Sequence, residues 1–575
     1  MSENLPSPES PVARARTAVD EIADAYFERS AQMSPTLLTS LGRAERQDEY
    51  DDFSPAGLGA QAKLAREVLD QLAEAEPVDV IDKVTMAAMR ERLGLEIEAH
   101  EASLDLLGIN NITSGLHQIR SVYDQMPRST QEDWRTIARR LRAVPTAVLT
   151  WFISQTASVH QGFSPARRQV EGLAEQVEQW VSEGGFLDGL REGAATDEGP
   201  LNDDLAEDLA HSIEVARRSF RRAAEHLRRD FLPVATETDA AGVERYRLAS
   251  RASLGTTIDL AETYRWGLAE VARIEELQRQ TAERIRPGAS IAEAVELLDA
   301  DESYRLQGTE ALRHWMQERA DEAVDAMADE HFDIPEPVRR IECCIAPTTD
   351  GGIYYTEPSE DFSRPGRMWW SVPPEVESFT TWRELTTVYH EGVPGHHLQI
   401  AQTAYRSELL NSWRRHGCWV PGHGEGWALY AEWLMADLGF MDDPGNMMGL
   451  LDGQMLRAVR VVIDIGIHCG PELGLSAPDF VGGGDWTYDK AWQYFNHYVF
   501  MEEAFARFEV NRYCGWPGQA PAYKLGERLW LQLRDEVRAA QGDAFDLKDF
   551  HRTALDLGSV GMDVLRAAVL DLSGV

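Results

Sequence analysis

Residues 389–399 read YHEGVPGHHLQ. A histidine followed at once by a glutamate, His390-Glu391, opens like the zinc-protease signature H-E-x-x-H, whose two histidines share one helical face. Here Pro394 occupies the place of the second histidine, and the next imidazoles are His396 and His397. On an unbroken helix His390 and His396 would differ by about 600° of rotation and about 9 Å of rise, while His397 would lie about two turns from His390. Zinc–imidazole bonds are only about 2.0–2.1 Å long, so neither could share an ion with His390 unless the chain folds back. Gly392-Val393-Pro394-Gly395 is suited to fold it: proline ends the hydrogen-bond ladder and glycine accepts unusual backbone angles. The sequence predicts a helix into His390, a break, and a second helix through LQIAQTAYRSELL.

A metal site needs a third donor, and PGHGEGWALYAEWL (421–434) offers Glu425 at the start of another helix. Glu432 follows seven residues later on the same face, placed to orient a ligand histidine. Two histidines and a glutamate with water in the fourth position form an established catalytic zinc arrangement. Glu391 would then take a proton from the zinc-bound water, while the ion lowers that water's pKa and polarises a carbonyl. Seven of the 15 histidines fall between His390 and His497, which concentrates the chemistry in this part of the chain.

Bulk composition narrows the partners. The 575 residues carry a formal net charge of −40, so a phosphate backbone or an anionic bilayer would be repelled. Five cysteines form no C-x-x-C pair, which fits a reducing compartment. The N-terminus has no apolar h-region and no long apolar run occurs elsewhere, so a cytoplasmic protein is expected.

Along the chain, residues 1–11 read as a flexible Ser/Pro/Glu-rich tail. Residues 12–333 carry apolar side chains at helical spacing and read as a helical lobe, with Glu262–Ile285 as the clearest helix and Glu192–Asp204 as a loop. Residues 334–575 read as the catalytic region. It opens on strands near Ile341–Ile345, Gly352–Thr356 and Met368–Val372. Thr381-x-x-Glu384 suggests a capping box starting the helix that carries His390. The expected fold is therefore mainly α, with a small β-sheet beside the metal-site helix.

Four segments in order, HEGVPGHHLQ, GEGWALYAE, RAVRVVIDIGIH (457–468) and RY followed by PGQAPAYKLG (512–526), resemble a bacterial family labelled only as a domain of unknown function, number eight-eight-five of its series. That family is grouped with the zincin-like metallopeptidases of the gluzincin type. The resemblance implies a mainly helical zinc peptidase and favours His396 over His397 as second ligand.

Around the centre, Arg460, Asp464 and His468 recur every four residues on one helix face. His468 and Tyr523 are candidates to steady a transition-state oxyanion, with Asp464 and His397 as supporting residues. Arg512 suits a substrate carboxylate, with Tyr513 beside it. Tyr354 and Tyr355 lie on a strand that could pair with an extended substrate. A tryptophan set that includes Trp419 and Trp427 reads as core. The expected function is zinc-dependent hydrolysis of short peptides. Alternatives are hydrolysis of non-peptide amides or esters, and a scaffold that keeps the site's shape without chemistry.

Overall fold

The computed structural model describes residues 14–346, 352–359, 361–373 and 376–575, so the expected tail at 1–11 lies outside the described residues. The helical periodicity of the first half becomes long helices started by side-chain caps. In α1 (Gln131–His160), Thr130 and Asp133 form a reciprocal capping box, satisfying backbone donors that a helix start leaves unpaired. Asn202 caps α2 (Asp203–His226). These two helices pack together over a core that includes Trp134, Leu141 and Phe220. Then follow α3 (Val243–Leu254) and α4 (Leu260–Ile285), the latter capped by Asp259 and starting two residues ahead of the expected Glu262.

The expected strands form a single sheet of β1 (Ile341–Ile345), β2 (Ile353–Thr356) and β3 (Gly366–Trp370), in the order β1-β3-β2. β3 runs parallel to β1 and antiparallel to β2. It begins two residues before the predicted Met368, because Gly366 and Arg367 already pair with Ile341 and Glu342. Side chains alternate as a pleat requires: Gly366, Met368 and Trp370 are buried, Arg367 and Trp369 half-buried. Cys343 points inward and Cys344 does not, and all five cysteines are free.

Next come α5 (Thr381–Glu391), α6 (His396–Tyr405), α7 (Pro421–Asp437), α8 (Pro444–Leu473), α9 (Glu503–Gly515) and α10 (Ala522–Gln541). The capping box expected at Thr381 does not form. Thr380 is the cap residue and makes no side-chain bond, and the Thr381 hydroxyl donates to Tyr304 O. Glu384 is instead half-buried, and the desolvation of its carboxyl pushes it up to about 7.

Helix α8 is the central strut. Val461, Val462, Ile463 and Ile465 are fully buried, each contributing about 1.5–3 kcal/mol by the usual cost of exposing such a side chain. α4 lies along it, close enough that a Cβ on Gly267 would meet Val461 and Val462 at 3.0 and 3.1 Å. The main core joins Val19, Leu64 and Val271 to Tyr389, Trp427 and Val462, so the expected boundary at 333/334 is not a break in packing. The largest of the separate clusters lies in the stretch between Leu116 and Phe231, and two small ones stand beside the sheet and around Trp382. The result is a mainly helical molecule with small sheets, the three-stranded one standing beside α6.

Candidate metal centre

Helix α5 ends at Glu391, and the next four residues turn the chain back as the sequence predicts. Gly392 N donates to Val388 O at 2.8 Å and Gly395 N to Tyr389 O at 3.1 Å. A Cβ on Gly395 would lie 2.0 Å from His390 O and 2.4 Å from Tyr389 O, so only glycine lets the turn close this tightly on α5. Trp427 Nε1 donates to Pro394 O at 2.8 Å and ties the turn to α7. The tryptophan is fully buried, as a core residue should be, yet its indole fixes the loop between the two histidines.

This turn brings three donors together. His390, His396 and Glu425 each present an atom, and all lie within 4.8 Å of one another. Glu425 Oε2 stands 3.4 Å from His390 Nε2 and 3.5 Å from His396 Nε2. That oxygen is buried and accepts no hydrogen bond, as is Glu391 Oε2. The two imidazoles meet edge to face, with ring centroids 4.9 Å apart.

His397 goes elsewhere. Its Nε2 donates to Val338 O at 2.7 Å, and its Nδ1 accepts from the Tyr355 hydroxyl at 3.0 Å. With both nitrogens engaged and burial holding its pKa down at about 4, it is a neutral strut between α6 and the sheet. Tyr355 therefore spends its hydroxyl on His397, whereas Tyr354 stacks on Trp369.

Behind the centre runs a buried chain of hydrogen bonds. His390 Nδ1 donates to Glu432 Oε1 at 2.7 Å. Gln454 Nε2 donates to the other Glu432 oxygen at 3.2 Å, and Lys524 Nζ donates to Gln454 Oε1 at 2.6 Å. Lys524 is also paired with Glu527 and Glu270, and is completely buried. α10 reaches this position because α7 and α10 cross at glycines: a Cβ on Gly426 would meet Gly526 C at 2.4 Å.

Charges in the centre follow from burial and neighbours. Burial opposes a charged His390, but Glu425 and Glu432 outweigh it and raise its pKa to about 9. Glu425 is held well below the usual carboxylate range despite burial, through both histidines. Glu391 is shifted the other way, upward, chiefly by burial, although His396, His390 and Arg457 oppose the shift. A carboxylate raised toward neutrality suits a proton acceptor.

Other predicted residues are distributed unevenly. Tyr523 lies close enough to feel the charge of Glu425. Burial and that charge push its hydroxyl up to about 12, so it stays a hydrogen-bond donor. The Arg460 guanidinium sits over the Tyr523 ring at 4.8 Å. Arg460 and Arg512 share one carboxylate, Glu509, which also accepts from Tyr513. Arg512 and Tyr513 are thus buried in an ion-pair network, which the sequence could not reveal because Glu509 lies outside the matching motifs.

His468 does not serve as an oxyanion donor. Its Nδ1 accepts from Ala241 N at 3.1 Å and its Nε2 donates to Tyr513 O at 2.8 Å, leaving no free ring nitrogen. Asp464 accepts from Gly518 N and supports that loop rather than a ligand histidine.

Sequence reasoning also missed Trp419, Arg457 and Gln454. Trp419 is 46% exposed, and its ring centroid lies 6.2 Å from that of His396. Its exposure beside a buried cluster makes it a wall of the site rather than core. Gln454 leaves no signal beyond one polar residue in an apolar stretch of α8.

Among the described residues no helix is long and apolar enough to cross a membrane. No curated protein matches the chain. Two solved structures share its fold. One, described as "the putative lipoprotein from Colwellia psychrerythraea", is 24% identical with a TM-score of 0.81, covering 96% of this chain and 99% of that one. The other, described as "a putative lipoprotein of unknown function from Shewanella oneidensis", is 15% identical with a TM-score of 0.71, covering 97% and 100%. The model of one bacterial family matches residues 35–569, nearly the whole chain, and the protein accordingly belongs to that family, the bacterial proteins of unknown function DUF885.

Proposed function

We propose that the protein is a zinc-dependent hydrolase of short peptides, with His390, His396 and Glu425 as ligands and Glu391 as the general base. The observation that carries this reading is the spacing of the three donors. A tetrahedral ion with bonds of about 2.0–2.2 Å separates its ligand atoms by about 3.4 Å, against 3.4 and 3.5 Å measured from Glu425 Oε2 to the two imidazole nitrogens. The buried Oε2 of Glu425 accepts no hydrogen bond from a described residue, which leaves it free to meet a cation. Three protein ligands leave a fourth position open, as catalytic rather than structural zinc sites do.

Zinc, when bound, supplies Lewis acidity that polarises a carbonyl and makes water more acidic. The protein's own residues supply the rest. Glu391 accepts a proton from the attacking water and returns it to the leaving amine. Tyr523 donates to the developing oxyanion, and Glu432 keeps the His390 Nε2 lone pair directed at the ion. Trp419 offers an apolar face to a substrate side chain, and β2 stands at a sheet edge where an extended peptide can pair.

A test starts from protein purified without chelator. One zinc per chain and chelator-sensitive cleavage of members of a peptide library are expected, and Glu391→Gln should keep the zinc and lose nearly all turnover. A Glu391→Gln variant as active as wild type would overturn the mechanism. Absence of metal would favour a scaffold role, and cleavage confined to esters would favour a non-peptide substrate. The five free cysteines support a cytoplasmic location, which cell fractionation would decide against an envelope location like the one the lipoprotein names of the two related structures suggest.

A further inference from the structure

Away from the three donors, a polar cavity of about 70 Å³ lies where the two cores meet. Its walls include Asn110, Gln155 and Ser158 from the side of the smaller core, and Arg245 and His468 from the side of the larger one. Burial of the Arg245 guanidinium holds its pKa below the ordinary value, and no neighbouring carboxylate offsets that shift. Among the described residues it has neither an ion pair nor a hydrogen-bond partner, in a protein where most arginines are paired. The one acidic group on the cavity wall, Asp239, is taken by Arg168 at 3.6 Å. Two arginines against one aspartate leave a surplus positive charge at this place. His468 adds none, since both ring nitrogens bond to backbone and burial holds it neutral, with a pKa of about 4.

We infer that this cavity is a binding site for a small oxyanion, a carboxylate or a phosphate, held by Arg245. Arg245 is half-buried, and a guanidinium cannot shed its proton, so one held largely out of water without a partner gains from a counter-charge. Its fork of donors matches the two oxygens of a carboxylate or phosphate. The space is ample: one water requires about 10–15 Å³ by the same measure. The anion would bridge the Gln155 amide on α1 to Arg245 on α3, and so join the two cores. The proposal does not depend on the metal centre.

Thermal unfolding of the full-length protein, as purified without chelator, tests it, with sodium phosphate and sodium acetate titrated separately at constant ionic strength. A ligand that binds only the folded state raises the melting temperature in a saturable way. Such a rise is expected in wild type, with the responding anion distinguishing a phosphate site from a carboxylate site. It should vanish in Arg245→Gln and persist at several-fold weaker affinity in Arg245→Lys. Because Arg245 has no partner among the described residues, Arg245→Gln should fold, which its melting curve without anion reports directly. If it does not fold, Arg245→Lys decides alone, and unchanged affinity there overturns the assignment. No saturable rise with either anion, or an equal rise in Arg245→Gln, also overturns it.

Discussion

The Nδ1 atom of His390 lies 2.7 Å from Glu432 Oε1, and both residues are almost completely buried. A carboxylate in this position fixes the ring and leaves the opposite nitrogen free to ligate. The contact links α5 to α7 across 42 residues of chain, as the placing of Glu432 suggested, and it sets the first prediction. Glu432→Gln should weaken metal binding by about 10–100-fold, the range usual for such partners. Competition with a calibrated chelator measures it, and unchanged affinity would show that the carboxylate has no influence on the ion.

Gly395→Ala tests the fold-back. A methyl group there would meet two carbonyl oxygens at 2.0 and 2.4 Å, so the turn must open. The variant should lose about 2–4 kcal/mol, as other severe backbone clashes do, and should purify with less metal. Gly94→Ala is the control: the site is helical with nothing within 4 Å, and should gain about 0.5–1 kcal/mol. Chemical denaturation of both variants checks the contrast.

Asp464 makes stability depend on pH. Burial pushes its carboxyl from the ordinary 3.8 up to about 7. Between these values the folded protein holds a proton that the unfolded chain releases, so stability falls as pH rises from about 4 to about 7 and is level above. Asp464→Asn should remove this part of the slope, a change of a few kcal/mol across the window. Denaturation midpoints at several pH values measure it, and parallel curves for the two proteins would contradict the assignment.

Tyr523→Phe should lower kcat on the order of 10²-fold, with KM nearly unchanged, because an oxyanion donor acts in the transition state. The fold should not suffer, since its hydroxyl makes no hydrogen bond with another described residue. Equal kcat in the two proteins would remove Tyr523 from the chemistry.

Trp419→Ala should instead raise KM, roughly tenfold for substrates with a large apolar side chain next to the cleaved bond and little for glycine there. A uniform effect across substrates would mean that the indole supports the site's structure and does not contact substrate.

What the sequence determined by itself was local. The helix break at Gly392–Gly395, strand Ile341–Ile345 and the seven-residue spacing of Glu425 and Glu432 follow from backbone preferences and periodicity within a dozen residues. The tertiary structure decided which imidazole converges. His397 is drawn off by Val338 and Tyr355, 59 and 42 residues away, so His396 is the one left facing Glu425. It also decided that His468 bonds to backbone, and that residues on either side of 333 share one core. Such outcomes depend on which distant groups satisfy a buried polar atom, and spacing along a chain carries no record of that.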